Sequence, residues 1–317
     1  MSSESEAQSL TVQFRKRTSM DWEGGVRFYE YTSAANPQLN SMPFAVLPSS
    51  LHRSGETRVI PFDLSNKLGM SWPATSPNLM ASFLRINAKE TLDTQASATS
   101  QLFYVINGSG KSTASFGSID WSQGDLFVLP MGVEVDHKAT ADAALYWVHD
   151  EPLLTYLGVQ PGVPRFKPTL FRRERMIAEL ESVRNQPGAA DRNRMGILLG
   201  NEATPQTMTI THMLWSLLNI LPANKSQKPH RHNSVALDLC VSAEPSGVYT
   251  LMGPDLNADG TVKNPIRAEW ESGTVFTTPA GWWHSHHNET GRDAVVLPIQ
   301  DAGLHTWMRT LDIRFVL

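Results

Sequence analysis

Two short stretches of the chain hold the residue types and spacings that could bind a metal ion. "PHRHNS" contains His230 and His232, and "PAGWWHSHHNET" contains His284. Residues two apart on a β-strand point to the same face, so His230 and His232 could serve one ion, with His284 added from a later strand. Three imidazoles would leave coordination positions open. Open positions are what a catalytic metal site requires, so we predict these three histidines to be the metal ligands.

Two further polar residues lie where they could take part in catalysis. His286 shares the strand face of His284 and could donate a hydrogen bond to a substrate or to oxygen, whereas His287 faces the other way. Asp238 falls on the inward face of an apolar strand and needs a partner there. It could orient a ligand histidine, act as an acid or base, hydrogen-bond the substrate, or form a structural pair with an arginine.

Three residues beside the histidines could contact a substrate. Trp282 and Trp283 follow the Pro-x-Gly turn of the second stretch, and either could stack on an aromatic ring, with core packing as the alternative. Arg231 has the charge to bind a carboxylate. Strand alternation points it away from the two histidines that flank it, which favours a salt bridge at the surface or at an interface.

The composition limits the class of protein. The 317 residues carry 27 basic and 31 acidic side chains, for a formal charge of -4, so we expect neither nucleic acid nor a membrane as a partner. The single cysteine, Cys240, excludes an internal disulfide framework. The start of the chain, "MSSESEAQSLTVQF", is polar and acidic and lacks the apolar core of a signal peptide, and its first ten residues are expected to form a loose tail. We predict a cytoplasmic protein.

The elements that would position these residues are mostly strands. Short apolar runs separated by turn residues recur through both halves of the chain and predict a β-sandwich or barrel in each. In the first half they are "MASFLRINA", "QLFYVINGSG", "GDLFVLPMG" and "AALYWVHDE"; in the second they are "TMTITHMLWSLLNIL", "SVALDLCVSA", "GVYTLMG", "GTVFTTPAG" and "DAVVLPIQ". Between them, "PTLFRRERMIAELESVRNQPG" predicts a helix that Thr169 could cap and that Pro187 and Gly188 end.

The two halves contain a weak internal repeat. "QGDLFVLPMGVEV" and "SGTVFTTPAGWWH" share a glycine, a proline and a second glycine at one constant offset. The first set is Gly124, Pro130 and Gly132, and the second is Gly273, Pro279 and Gly281. Because the three positions align without a gap, they indicate duplication of one β-domain.

The motifs of the second half resemble those of the cupin superfamily. Its first motif, a His-x-His strand with a later glycine, is matched by His230, His232 and Gly247; its second, Gly-x5-Pro-x-Gly-x2-His-x3-Asn, is matched by Gly273, Pro279, Gly281, His284 and Asn288. The chain as a whole resembles a bicupin. The phrases "PHRHNS" and "WWHSHHN" are most similar to gentisate 1,2-dioxygenase and related ring-cleaving dioxygenases, in which a second histidine also follows the ligand by two.

This resemblance implies an all-β fold of two double-stranded β-helix (jelly-roll) barrels joined by a helical linker. We predict an N-terminal arm and metal-free cupin at residues 1–162, the linker at 163–200 and a metal-binding cupin at 201–317. The first half lacks a His-x-His pair and has Val135 where the second has His284, which leaves His137 alone. In the better-known gentisate dioxygenases the first cupin carries the metal. Bicupins often associate, so a homo-oligomer is expected.

The function implied is a non-haem Fe(II)-dependent dioxygenase of the extradiol type. Cupins often place a glutamate after the second histidine, but Ala236 and Leu237 stand there. A three-histidine site leaves the charge of the ion uncancelled, which favours an anionic chelating substrate such as an ortho-hydroxy carboxylate. We therefore expect O2 and a hydroxy- or amino-substituted aromatic carboxylic acid as substrates. Mn, Ni, Cu and Zn stay possible as metals.

Two other classes of protein fit the same motifs. The first is a cupin enzyme of other chemistry, for example a diketone-cleaving dioxygenase or a metal-dependent isomerase or lyase. The second is a non-catalytic bicupin that binds a ligand. Three histidines that leave a metal open on one side argue against the second class, because a purely structural barrel does not need them.

Overall fold

The computed structural model describes residues 22–35, 37–132, 134–189, 192 and 194–316. The chain is divided into two compact units, one that ends at Leu39 and one that spans Asn40–Leu317. In the described part of the first unit there is one short helix, α1 (Tyr31–Ala34), whose first turn is capped by the carboxylate of Glu30. The tail predicted for residues 1–10 lies outside the described residues.

The larger unit contains two β-barrels built from antiparallel strands. Among its described residues, the N-terminal barrel has ten strands in two sheets. After the short strand β1 (Val46–Leu47), these are β2 (Arg58–Pro61), β3 (Met80–Ile86), β4 (Thr91–Thr94), β5 (Ser100–Asn107), β6 (Ser109–Ala114), β7 (Gly117–Ser122), β8 (Leu126–Pro130), β9 (Val135–Ala139), β10 (Ala143–His149) and β11 (Thr169–Phe171). The sheet orders are β11-β8-β5-β10-β3-β2 and β4-β9-β6-β7. All four strands predicted in the first half are present.

The C-terminal barrel repeats this plan. Its strands are β12 (Met195–Leu199), β13 (Trp215–Leu221), β14 (Lys225–Ser226), β15 (His230–His232), β16 (Ala236–Ser242), β17 (Val248–Gly253), β18 (Ile266–Glu269), β19 (Val275–Thr278), β20 (Trp283–Asn288), β21 (Ala294–Gln300) and β22 (Ile313–Phe315). The sheet orders are β1-β19-β16-β21-β13-β12 and β18-β17-β20-β15-β22, and β14 also pairs with β20. The all-β prediction is confirmed, and β1 shows that the N-terminal half contributes an edge strand to the second barrel.

Short helices connect the strands. They are α2 (Ser50–Arg53), α3 (Ser65–Leu68), α4 (Glu151–Leu157), α5 (Arg173–Arg184) and α6 (Ala302–Met308). The predicted helix is α5, but the prediction that Thr169 caps it is wrong. Thr169 pairs with Val128 in the first barrel, because β11 precedes the helix and extends the sheet. No helix in the described part of the chain is long and apolar enough to span a membrane.

The segment predicted as a linker, 163–200, contains β11 and β12 as well as α5. β11 forms an edge of the six-stranded sheet of the first barrel, and β12 forms an edge of the six-stranded sheet of the second. The segment therefore joins the barrels by adding a strand to each. The three domain ranges stay a prediction.

Strand alternation divides the core into three parts. Between the barrels, an apolar cluster joins Tyr146 and Leu102 of the first to Leu237 and Ile299 of the second. A second cluster fills the interior of the N-terminal barrel, where Phe103 stacks on Phe127, with ring centroids 4.8 Å apart. A third lies inside the C-terminal barrel, around residues such as Trp270, Phe276 and Cys240. Asp238 and its neighbour Cys240 thus face the interior of the second barrel, while Leu237 faces the first.

Candidate metal centre

Three histidines converge inside the C-terminal barrel. β15 pairs with β20 so that His230 lies directly opposite His284, and His232 follows on the same face of β15. One ring nitrogen of each lies within 4.8 Å of one nitrogen of each of the other two. His232 and His284 are buried, and His230 is half-buried. The structure thus brings together the three residues that the sequence predicts as ligands.

The Pro-x-Gly turn fixes the approach of the third histidine. Gly281 has a φ of +78°, a conformation that strongly favours glycine, and its N–H donates to the carbonyl of His232 at 2.7 Å. This bond ties the turn before β20 to the strand that carries the other two histidines. At the far end of β20, Asn288 donates to the carbonyls of Leu221 and Arg292 and closes the next turn.

Backbone carbonyls set the orientation of two of the imidazoles. Nδ1 of His232 lies 2.8 Å from the carbonyl of Ser234, and Nδ1 of His284 lies 3.0 Å from the carbonyl of Trp282. A carbonyl accepts only, so each Nδ1 donates its hydrogen and each Nε2 keeps a lone pair. Outer hydrogen bonds of this kind accompany metal-binding histidines generally.

The electrostatics keep these histidines neutral. Burial lowers the pKa of His230, His232 and His284, and for His230 and His284 the fall is large, helped by the charge that a neighbouring histidine would carry. Neutral imidazole is the form that binds a metal ion. The three side chains therefore fit a divalent cation in donor type, protonation state and spacing.

A half-buried arginine lies beside the centre, and sequence reasoning missed it. Arg194, just before β12, contacts Nδ1 of His230 through Nη2 and donates from Nη1 to Oε1 of Gln227 at 2.6 Å. A guanidinium only donates, so Nδ1 of His230 accepts from Arg194 in this arrangement; Nδ1 also lies 3.3 Å from the carbonyl of His284, which could accept a hydrogen from it only if Arg194 moved away. Burial lowers the pKa of Arg194 to about 9, which leaves it charged at neutral pH. The centre therefore carries a fixed positive charge before any metal binds.

Asp238 is a fully enclosed carboxyl group on β16. It accepts a hydrogen bond from the Thr278 hydroxyl at 2.5 Å, and it makes no direct hydrogen bond to the ligand histidines among the described residues. Burial raises the pKa of Asp238 to about 7, so near neutral pH it can exist as either an acid or a base. Among the described residues, no arginine forms an ion pair with Asp238; the arginine–aspartate pairs that contain a buried side chain involve other carboxylates.

His286 is buried two residues beyond His284. Its ring centroid is 5.7 Å from that of His284 and 6.3 Å from that of His230. Nδ1 of His286 lies 2.7 Å from the hydroxyl of Thr250. Burial and the charge of Arg194 hold the pKa of His286 well below its usual range. The side chain faces the same interior as His230 and His284, as alternation along β20 predicts.

The residues predicted to contact substrate are divided between two faces. Trp282 is half-buried and packs against the apolar cluster inside the C-terminal barrel. Arg231 and Trp283 instead meet each other, with the guanidinium carbon 5.2 Å from the centroid of the indole. Arg231 pairs in register with Arg314 of β22, on the opposite face from its flanking histidines. Of the three, Trp282 is the one that contacts the interior.

The end of the chain also contributes to the centre. β22 pairs with β15, and the ring of Phe315 stacks on His230 with centroids 5.6 Å apart and planes 11° from parallel. Sequence reasoning missed this strand, because a three-residue strand far along the chain carries no local signal of its partner. Asn219 is a second polar residue that sequence reasoning missed. It interrupts the apolar run "WSLLNIL", and its side chain faces the interior of the C-terminal barrel.

The N-terminal barrel has the same frame without the ligands. Thr94 pairs with Val135 as His230 pairs with His284, so Thr94 and Val135 occupy the corresponding positions. The repeated glycines behave alike, since Gly124 has a φ of +88° and Gly273 one of +85°. Both barrels thus have the same strand pairing and the same glycine turn, but among the described residues only the second barrel contains a group of three histidines.

Comparisons with known proteins agree with this architecture. No protein-family model matches the chain. Among curated proteins, 5-aminosalicylate 1,2-dioxygenase from Comamonas sp. is 29% identical over 86 residues, which are 27% of this chain and 23% of that protein. The match thus spans less than a quarter of the relative's length.

Solved structures match over most of the chain. Salicylate 1,2-dioxygenase from Pseudaminobacter salicylatoxidans has a TM-score of 0.68 at 16% identity and covers 88% of this chain and 89% of its own. A gentisate adduct of salicylate 1,2-dioxygenase from Pseudoaminobacter salicylatoxidans has a TM-score of 0.68 at 15% identity, over 88% and 86% of the two chains. A variant of oxalate decarboxylase from Bacillus subtilis has a TM-score of 0.52 at 14% identity, over 81% and 76%. The chain has the bicupin fold and resembles the gentisate-type dioxygenases, as its motifs predict.

These names correct one detail of the sequence interpretation. A 1,2-dioxygenase of salicylate acts at the bond between the carbon that bears the carboxylate and the carbon that bears the hydroxyl. Extradiol cleavage requires two adjacent hydroxyl groups, and salicylate has one. The extradiol description is therefore wrong for proteins of this kind.

Proposed function

We propose that this chain is a metal-dependent dioxygenase that opens the ring of a hydroxy- or amino-substituted aromatic carboxylic acid of the gentisate or salicylate kind. Fe(II) would be held by His230, His232 and His284. The observation that carries the proposal is the convergence of these three neutral imidazoles inside one barrel. The similarity to salicylate and 5-aminosalicylate 1,2-dioxygenases supports the substrate class.

The charge of the centre supports an anionic substrate. Three neutral imidazoles cancel none of the ion's charge, and Arg194 adds a guanidinium beside His230. A carboxylate with an ortho hydroxyl or amino group can chelate a cation, and an arginine can bind the carboxylate through two parallel hydrogen bonds. Arg194 is therefore assigned the role of carboxylate binding, in place of Arg231, which lies on the other face of β15.

The remaining polar groups would handle protons and orientation. The chemistry that Fe(II) supplies when bound is reactivity towards O2, which closed-shell aromatic acids lack by themselves. Asp238, with its pKa raised to about 7 by burial, can give or take a proton near neutral pH. His286 can hydrogen-bond an oxygen of the substrate, and Trp282 can limit the position of the ring.

Oxygen consumption tests the function directly. The chain is purified anaerobically, stripped with a chelator, reloaded with Fe(II), and screened with gentisate, salicylate, hydroxynaphthoate and amino- and nitro-substituted analogues. O2 uptake with loss of ring absorbance is expected for at least one acid. His232→Ala should lose metal and activity together, while His137→Gln in the N-terminal barrel serves as the matched control that keeps both. No uptake with any of these acids would remove the ring-cleavage proposal.

The identity of the metal is tested separately. Metal analysis of protein purified without added metal should give iron at about one ion per chain, because one three-histidine group is present among the described residues. Full activity with Zn or Mn but not with iron would favour the other cupin chemistries. A cytoplasmic location and a homo-oligomeric assembly stay predictions from the sequence.

A further inference from the structure

A chain of three hydrogen-bonding side chains lies behind His286. The indole Nε1 of Trp270 is 2.8 Å from Oγ1 of Thr250, and the same oxygen is 2.7 Å from Nδ1 of His286. All three side chains are buried. Within the described residues, the hydroxyl of Thr250 has no other hydrogen-bond partner, and Nε2 of His286 has none.

The hydrogens of this chain can be placed from its donors and acceptors. An indole N–H can only donate, so Oγ1 of Thr250 accepts from Trp270. The hydroxyl hydrogen then has one available acceptor, Nδ1 of His286. The opposite arrangement, in which Nδ1 donates, would leave the hydroxyl hydrogen buried without an acceptor, which is unfavourable by roughly tenfold or more in the tautomer equilibrium.

The N-terminal barrel contains a second copy of the chain. Nε1 of Trp121 donates to Oγ of Ser112 at 2.8 Å, and that oxygen is 2.7 Å from Nδ1 of His137. Nε2 of His137 in turn lies 2.9 Å from Oγ1 of Thr94. Since Thr94 occupies the position of His230, the copy shows where the corresponding Nε2 points, which is towards the strand that carries the metal ligands.

We propose that Trp270 and Thr250 are positioning residues that hold His286 as the Nε2–H tautomer. His286 then presents a fixed hydrogen-bond donor, and no metal-binding lone pair, to the interior beside the three ligand histidines. In this tautomer Nε2 of His286 is not available to a metal ion, so the proposed ligand set stays at three. The use of that donor by an anionic substrate oxygen rests on the proposed function, whereas the tautomer itself does not.

The tautomer is measured by nuclear magnetic resonance on the metal-free protein. Two-bond nitrogen–proton correlations of 15N-histidine-labelled protein at about pH 8, above the ordinary imidazole pKa, show which ring nitrogen is protonated. The signals of His286 are assigned by their loss in His286→Gln. The expected result is one tautomer protonated at Nε2. Protonation of His286 at Nδ1 in the wild type would overturn the proposal, whatever the enzyme activity.

Variants identify the residues responsible. Thr250→Val removes the hydroxyl at nearly constant volume and should reduce the preference for Nε2–H by roughly tenfold, while Thr250→Ser should restore it. The matched control is Ser112→Ala in the other barrel, which should change the spectrum of His137 and leave that of His286 unaltered. An unchanged His286 tautomer in a folded Thr250→Val protein would contradict the assignment. If Thr250→Val does not fold, Trp270→Phe provides the same test, and the wild-type spectrum still decides the tautomer.

Discussion

Replacing Asp238 by asparagine should change how the stability of the protein depends on pH. Asp238 is enclosed on β16, and burial raises its pKa from 3.8 to about 7. The folded state therefore binds the proton of this carboxyl more tightly than the unfolded state does. In this situation the protonated group favours folding, and stability falls as pH rises from the unfolded pKa through the folded one.

The size of the effect follows from the shift. A shift of roughly three units corresponds to about 4 kcal/mol at about 1.4 kcal/mol per unit. Most of this loss falls between about pH 5 and about pH 8, where we expect the wild type to lose about 2 to 3 kcal/mol through this one group. Asp238→Asn cannot ionise, and its amide oxygen can still accept from Thr278, so it should not show this loss.

Urea unfolding of metal-free protein at a series of pH values measures the difference. The free energy of unfolding is obtained at each pH for the wild type and for Asp238→Asn, and the two curves are subtracted, which cancels the titration of groups that the two proteins share. The free energy of unfolding of the variant minus that of the wild type should therefore increase by about 2 to 3 kcal/mol between about pH 5 and about pH 8. Asp136→Asn, an exposed position on β9, is the matched control, and comparison with it shows whether a change in slope belongs to the buried site. Parallel curves for the wild type and Asp238→Asn would refute the burial argument.

Three further predictions concern the ligands, the charge and the packing. His284→Ala should lower bound metal from about one ion per chain to near zero after dialysis, measured by elemental analysis; retention of a full ion would exclude His284 as a ligand. Arg194→Met should weaken binding of salicylate to the Zn-loaded protein by about 10- to 100-fold in calorimetry, because a charge-assisted hydrogen bond is lost, and equal affinity would remove Arg194 from carboxylate binding. Phe103→Ala should lower the free energy of unfolding by about 3 to 5 kcal/mol without changing metal affinity, since the ring fills the N-terminal barrel; a loss below about 1 kcal/mol would show that the stack contributes little.

The strands and the grouping of the three histidines could be predicted from the sequence because both depend on local patterns. Alternation along a strand places His230 and His232 on one face, and the same rule places His286 with His284 and Asp238 with the interior. The helix was predicted for the same reason, but its start was not. Thr169 has the chemistry of a cap, and pairing with β8 overrides that local preference.

Other features depend on which strands meet. Arg194 and Phe315 contact His230 from opposite ends of the second half of the chain, through pairing and packing that no local pattern encodes. For the same reason the sequence does not show the partners of Arg231 and Asp238: Arg231 contacts Trp283, and Asp238 accepts a hydrogen bond from Thr278.

By itself the sequence determined the fold class and the three imidazoles, because a side chain's face is set by its own strand. Only the tertiary structure decided the charge beside them, the pKa of Asp238 and the hydrogen bonds behind His286. Those properties arise from burial and from contacts between residues far apart in the chain, so they exist only once both barrels have closed.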